Sequence, residues 1–217
     1  LASGDAAGAL AGFEAALRQA PDHLVWGSEY RHAALAAEAH DRAIDFFDEL
    51  TAAHPRSAAA RLNLGYAHVD KIPAAGSVTQ VVLANAALGH FTAALEIEES
   101  WLGRYTRGNS YVYWPPIFQK TRLGIADLER AIEIAERLPP KAIHARAWVA
   151  LGDARWRLGE RDAARATWRE GLERYPGSAE LEARLGREGE ALAAFLDEAY
   201  ALGRRVDTDL SPLAEAR

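Results

Sequence analysis

The chain has 217 residues, 49% of them apolar and 26% charged, with a formal net charge of −6. That length supports one domain with a real core or one short repeat array. The acidic balance opposes binding to nucleic acid and to anionic membrane surfaces. The absence of cysteine excludes disulfides, thiolate metal sites and cysteine nucleophiles.

Alanine, leucine, arginine and glutamate dominate, and β-branched residues are few, which favours an all-helical fold. In chain order, periodicity and turn residues predict helices over 5–19, 23–37, 40–53, 57–70, about 80–98, 101–113, about 122–137, 142–157 and 161–174. One long helix follows over 178–202, and an extended tail runs from 204 to 217. No apolar run reaches the ~20 residues of a membrane-spanning helix.

The spacing Ala-x3-large-x2-small-x4-Pro occurs at Ala9, Phe13, Ala16 and Pro21 and returns 34 residues later at Ala43, Phe47, Leu50 and Pro55. Ala164, Trp168, Gly171 and Pro176 repeat it, and Ala87, Phe91 and Ala94 carry it without the proline. A second pattern, Trp-x2-Leu-Gly-x2-aromatic, is met at Trp148, Leu151 and Gly152, with Trp156 beside the aromatic place. Leu64 and Gly65, Gly108 and Tyr111, and Leu185 and Gly186 match parts of it. A glycine in one helix admits the large residue of the next, and proline ends each pair.

These motifs resemble the tetratricopeptide repeat family, over roughly residues 4 to 190, with the best unit at 145–178. The resemblance implies an all-α, right-handed superhelical solenoid of antiparallel helix pairs, of bacterial type. It would hold about four and a half repeats over residues 1–203, closed by a C-terminal capping helix. The first unit lacks its first helix, so its remaining helix is expected to be uncovered and to offer an oligomer contact.

Two units are longer than 34 residues, with insertions near 71–80 and 113–122. Insertions in repeat arrays map to a functional edge. The second is apolar for a loop, with Tyr113, Trp114, Ile117 and Phe118 close together. It reads either as a local lid or as a pocket wall.

In this family the first helix of each unit lines a concave groove. The matching places here include Ser28, His32, Leu62, Tyr66, Tyr105, Asn109, Asp153 and Trp156. Asn109 stands where many members carry an asparagine that bonds a bound peptide, while the basic residues of a carboxylate clamp are missing. The expected binding residues are therefore Tyr66, Tyr105, Asn109, Tyr113, Trp114, Phe118 and Trp156. Rigid aromatics supply contact area, and an amide both donates and accepts.

No catalytic motif, metal-ligand spacing or cofactor fingerprint is present, and the carboxylates read as exposed helix residues. The expected function is a non-catalytic scaffold or adaptor for a peptide or protein partner, with no cofactor, no metal, no nucleic acid and no membrane span. Two alternatives are an accessory protein of a transport system that encloses an apolar small molecule, and a structural subunit of a larger assembly. Cytoplasmic and periplasmic settings both remain open.

Overall fold

The computed structural model describes residues 3–114, 116–201 and 206–213. Among these residues every regular element is helical. Two compact units are formed, one from residues 1–99 with 205–217, the other from 100–204.

The first unit holds α1 (Ser3–Gln19), α2 (Leu24–Ala36), α3 (His40–Ala53), α4 (Ala58–Lys71) and α5 (Ser77–Ile97). The second holds α6 (Trp101–Tyr113), α7 (Thr121–Glu136), α8 (Ala145–Arg157), α9 (Arg161–Arg174), α10 (Ala179–Leu185) and α11 (Gly189–Ala199). Consecutive helices pack from α1 to α5 in the first unit and from α6 to α10 in the second, and alternate helices also touch, α2 with α4 and α6 with α8. This is the stacking that repeat helices require to bury their apolar faces.

The helix starts are set by polar caps. Ser57 Oγ accepts from the Ala60 amide at 3.0 Å, and Ser100 Oγ from that of Gly103 at 3.1 Å. Each satisfies an amide that the first turn leaves without a carbonyl. Pro21, Pro55 and Pro176 each stand two residues past the ends of α1, α3 and α9.

The repeat signature is a packing rule. A Cβ at Gly65 of α4 would collide with the Phe91 ring of α5, and one at Gly152 of α8 with the Trp168 indole of α9. Phe91 and Trp168 are fully buried there. In the opposite sense, a Cβ on Gly171 would lie 2.6 Å from Trp148 Cβ. In the first unit Tyr30, Phe46 and Phe47 meet edge to face at 5.0 to 5.6 Å between Leu10, Leu17, Leu50 and Leu64. Such ring pairs contribute about 0.5–1.5 kcal/mol beyond their area.

Several expectations are corrected. The insertion in the first unit is largely helix: α5 starts at Ser77 and runs 21 residues, leaving only a 3-10 turn at Ile72–Ala74 as its approach. With Glu96 its one residue of formal charge, α5 is long and apolar enough to cross a membrane by length and composition, contrary to the expected absence of such a run. Its Leu83, Ala87, Leu88, Phe91 and Ala94 are buried, while Val78, Val81 and Val82 are exposed.

The long helix expected over 178–202 is two helices. Gly186 receives no continuing turn, and Gly189 takes φ +50°, a conformation that suits glycine. Arg165 of α9 holds the break open, donating to the Arg187 carbonyl at 3.0 Å and pairing with Glu188 at 3.2 Å. The tail expected to be simply extended closes with a 3-10 turn at Ser211–Leu213 and belongs to the first unit.

Helix α1, expected to be uncovered, buries Leu10 and Leu17 and turns Ala7, Gly8, Ala11 and Gly12 outward.

Two outcomes test this packing. Gly152→Leu should cost ~1–3 kcal/mol through overpacking, whereas Gly89→Ala, where a Cβ meets nothing within 4 Å, should be neutral or slightly stabilising. Thermal melts of the two variants separate a packing glycine from a dispensable one.

His90 supplies a pH test. Burial, with the nearby charges of His68 and Arg61, pulls its pKa from 6.5 down to about 4. Between these values the unfolded chain binds a proton that the native chain refuses, so stability falls as pH drops below 6.5. The melting temperature of His90→Gln should therefore fall less than that of the native chain between pH ~7 and ~5, a range above the carboxylate titrations.

Candidate functional site

In the second unit, Tyr105, Asn109 and Tyr113 recur every four residues and so form one stripe along α6. All three are half-buried. Tyr105 stacks on Trp101 at 5.2 Å with an interplanar angle of 5°, and also packs on the cluster of Val112, Leu128, Ala150, Leu151 and Ala154. Tyr113 meets Tyr200 at 4.7 Å. The Asn109 amide makes no hydrogen bond among the described residues.

The insert is part buried and part exposed. Trp114 is buried, its ring edge-on to Phe118 at 5.2 Å and capped by Lys120 Nζ at 3.8 Å. Ile117 and Phe118, on the 3-10 turn Pro116–Phe118, stay 83% and 52% exposed. Trp156 of α8 lies half-buried against Trp168, with the Arg161 guanidinium 3.7 Å above its ring.

Asp153, one turn before Trp156 on α8, is fully buried. Arg184 of α10 clamps its carboxylate with two hydrogen bonds of 2.6 Å, and the Tyr200 hydroxyl donates to it at 2.9 Å. Burial works against the Arg184 charge, and the Asp153 carboxylate more than offsets this, holding the guanidinium above its ordinary pKa. Burial and the same carboxylate push the Tyr200 phenol well up. The residues after α9 are thereby fastened to α8 through one ion.

The first unit carries a second buried ion pair. Arg31 of α2 and Asp70 of α4 meet at 2.6 Å with the arginine side chain wholly buried. Arg31 Nε also donates to Asn63 Oδ1 at 3.0 Å, and Asn63 donates to the carbonyls of Leu24 and Ala59, both at 3.2 Å. The Arg31 guanidinium faces the Tyr66 ring at 4.8 Å, and that ring meets Phe91 at 5.3 Å. Tyr66 is thus a support beneath the charged pair and is only 6% exposed.

The C-terminal segment lies on this network. Arg31 Nη2 donates to the Thr208 carbonyl at 2.9 Å, the Thr208 hydroxyl donates to Asp70 at 2.5 Å, and the Leu210 amide donates to Ser28 Oγ at 3.0 Å. Thr208 and Leu210 are buried.

The structure therefore places Tyr105, Asn109 and Tyr113 together on α6, with Trp114 and Phe118 paired in the insert. Trp156 stands on the neighbouring helix α8, and Tyr66 belongs to the other unit. Sequence reasoning missed Arg31, Asp70, Arg184, Tyr200 and the tail residues Thr208 and Leu210. The one local signal was the alternation Val206-Asp207-Thr208-Asp209-Leu210, which has the two-residue period of an extended chain with one face down.

Residues 145–188, from the start of α8 to just past α10, match the model of the tetratricopeptide repeat family. No curated protein matches the chain. Among solved structures it is similar to TTC0263, a thermophilic TPR protein in Thermus thermophilus, at 21% identity and a TM-score of 0.63, covering 88% of this chain and 92% of that one. It is also similar to YrrB, a TPR protein with an unusual peptide-binding site, at 18% identity and a TM-score of 0.53, covering 93% of this chain and 89% of that one. With glycine-into-ring helix pairs in both units, the chain has the all-α helix-pair fold of these TPR proteins, and residues 145–188 match the tetratricopeptide repeat itself.

Proposed function

We propose that the chain is a non-catalytic scaffold that holds a peptide segment of a partner protein, with the stripe on α6 as a contact surface of the second unit. The observation that carries this reading is Asn109. Its amide is half-buried between two tyrosines and bonds to nothing among the described residues. A peptide backbone laid there could receive a hydrogen bond from the amide and return one, while Tyr105 and Tyr113 cover its flanks.

Trp156 and the exposed ends of the insert, Phe118 beside the tucked Trp114, extend the aromatic area of the same unit. Tyr66 serves the first unit from beneath. YrrB, similar in fold, is described as having a peptide-binding site, an analogy that adds to the reading without deciding it.

The test is a peptide selected by display against the folded chain, its affinity then measured for single variants. Tyr105→Ala and Trp156→Ala should each weaken it at least ~30-fold, since a truncated aromatic anchor typically costs 2 kcal/mol or more. Asn109→Ala should weaken it about tenfold while leaving the melting point in place, because no internal bond is lost. Undiminished binding by folded variants would move the contact surface off α6 and α8.

A further inference from the structure

The segment from Val206 to Leu213 is held in the manner of a peptide ligand. Of the three hydrogen bonds to the helices described above, two engage its backbone, at the Thr208 carbonyl and the Leu210 amide. Every extended segment offers those groups, so they supply grip without selectivity. Selectivity comes from the third bond, Thr208 hydroxyl to Asp70, and from the burial of the Leu210 side chain.

The receiving face is complete without the segment. Arg31 is neutralised by Asp70, its Nε is bonded to Asn63, and Ser28 Oγ accepts from Arg31 at 3.3 Å. A permanent plug would be more stable on an apolar surface, because burying an ion pair is seldom favourable over a well-packed apolar contact. A preorganised charge pair presenting a donor to a carbonyl and an acceptor to a hydroxyl, with Ser28 accepting from an amide beside it, is instead the design of a recognition surface.

The segment also keeps its own shape. Asp209 accepts from the Ser211 amide at 2.8 Å and from the Ser211 hydroxyl at 2.8 Å, and Asp207 accepts from the Asp209 amide at 3.0 Å. These local bonds lower the entropy lost on docking and on redocking.

We infer that the α2–α4 face of the first unit is a recognition site for an extended segment with a hydroxyl residue two places before an aliphatic one. The chain's own Val206–Leu213 is its resident, tethered occupant, and the partner is a protein displaying the same pattern. This rests on the scaffold reading above but uses a different surface, so either can fail alone. Tethering gives the resident a millimolar effective concentration, and a partner segment must displace it. The site is therefore gated by the chain's own segment Val206–Leu213.

The probe is a synthetic peptide with the sequence of residues 206–213. It is titrated against the native full-length chain and against the full-length double variant Thr208→Val with Leu210→Asp, whose own segment can no longer dock. The variant should bind the peptide at least about tenfold tighter than the native chain does. The same two changes made in the peptide should abolish binding, and Ser28→Ala in the double variant should weaken it several-fold.

A folded double variant that ignores the peptide overturns the recognition site. Equal affinity in the native chain and the variant overturns the gating. A second measurement covers a double variant that unfolds. A fluorophore at Pro212 of the native chain should lose anisotropy as peptide displaces the segment, and unchanged anisotropy at saturating peptide overturns the proposal. Retained sensitivity to Asn109→Ala in the selected-peptide assay would leave the scaffold reading standing through any of these failures.

Discussion

The close approach of one helix backbone to a large ring on the next governs this structure. At Gly65 and at Gly152 there is no room for even one methyl group, because Phe91 and Trp168 fill the space. A ring set directly on a backbone removes apolar area from both helices and leaves no void, which an interior packed to crystal density requires. It also fixes the axial register of the pair, since a shift of one residue would put a side chain under the ring. From that register follows which side chains face outward on α4 and α8.

With the pairs fixed, each unit uses a buried arginine–aspartate pair to fasten chain that comes later in sequence. Asp153 collects Arg184 and Tyr200 onto α8, and Arg31 with Asp70 collects Thr208 and Leu210 onto α2 and α4. Removing one partner of such a pair leaves a charge stranded in the interior, at a cost of about 3–5 kcal/mol. Both pairs meet more than one neighbour, so they set geometry more than they add stability. In the second unit the fastened element is helix and packs broadly on α8 and α9. In the first it is a short segment held by a few polar bonds, and this difference separates a structural cap from a replaceable ligand.

The helices and their glycine–ring contacts were legible in the sequence because they repeat. Gly152 and Trp168 stand in a pattern met several times along the chain, and each repetition reinforces the next. Tyr105 and Asn109 were legible through the resemblance to the repeat family, which puts the first helix of each unit on the groove, and Tyr113 through the aromatic insert, but their alignment as one stripe on α6 was not read from the sequence. The ion pairs were not. Asp70 and Asp153 lie in amphipathic helices, where a carboxylate is by default a solvated residue, and Arg31 and Arg184 stand 39 and 31 positions from them. No local pattern marks a contact at that separation. The break at Gly186 was masked by good helix formers on both sides, and the docked segment by its resemblance to a plain polar tail.

Burial of Thr208 and Leu210 is therefore the feature on which the account of the gated recognition site turns. The decisive measurement is hydrogen exchange of the Leu210 amide in the native chain, compared with core amides such as those of Leu64 and Phe91. A replaceable occupant opens without unfolding its host, so the Leu210 amide should exchange orders of magnitude faster than the core, through a local opening insensitive to mild denaturant. If Leu210 instead exchanges only with the core, at the free energy of global unfolding, the segment is a fixed part of the fold and the account of a gated recognition site is contradicted.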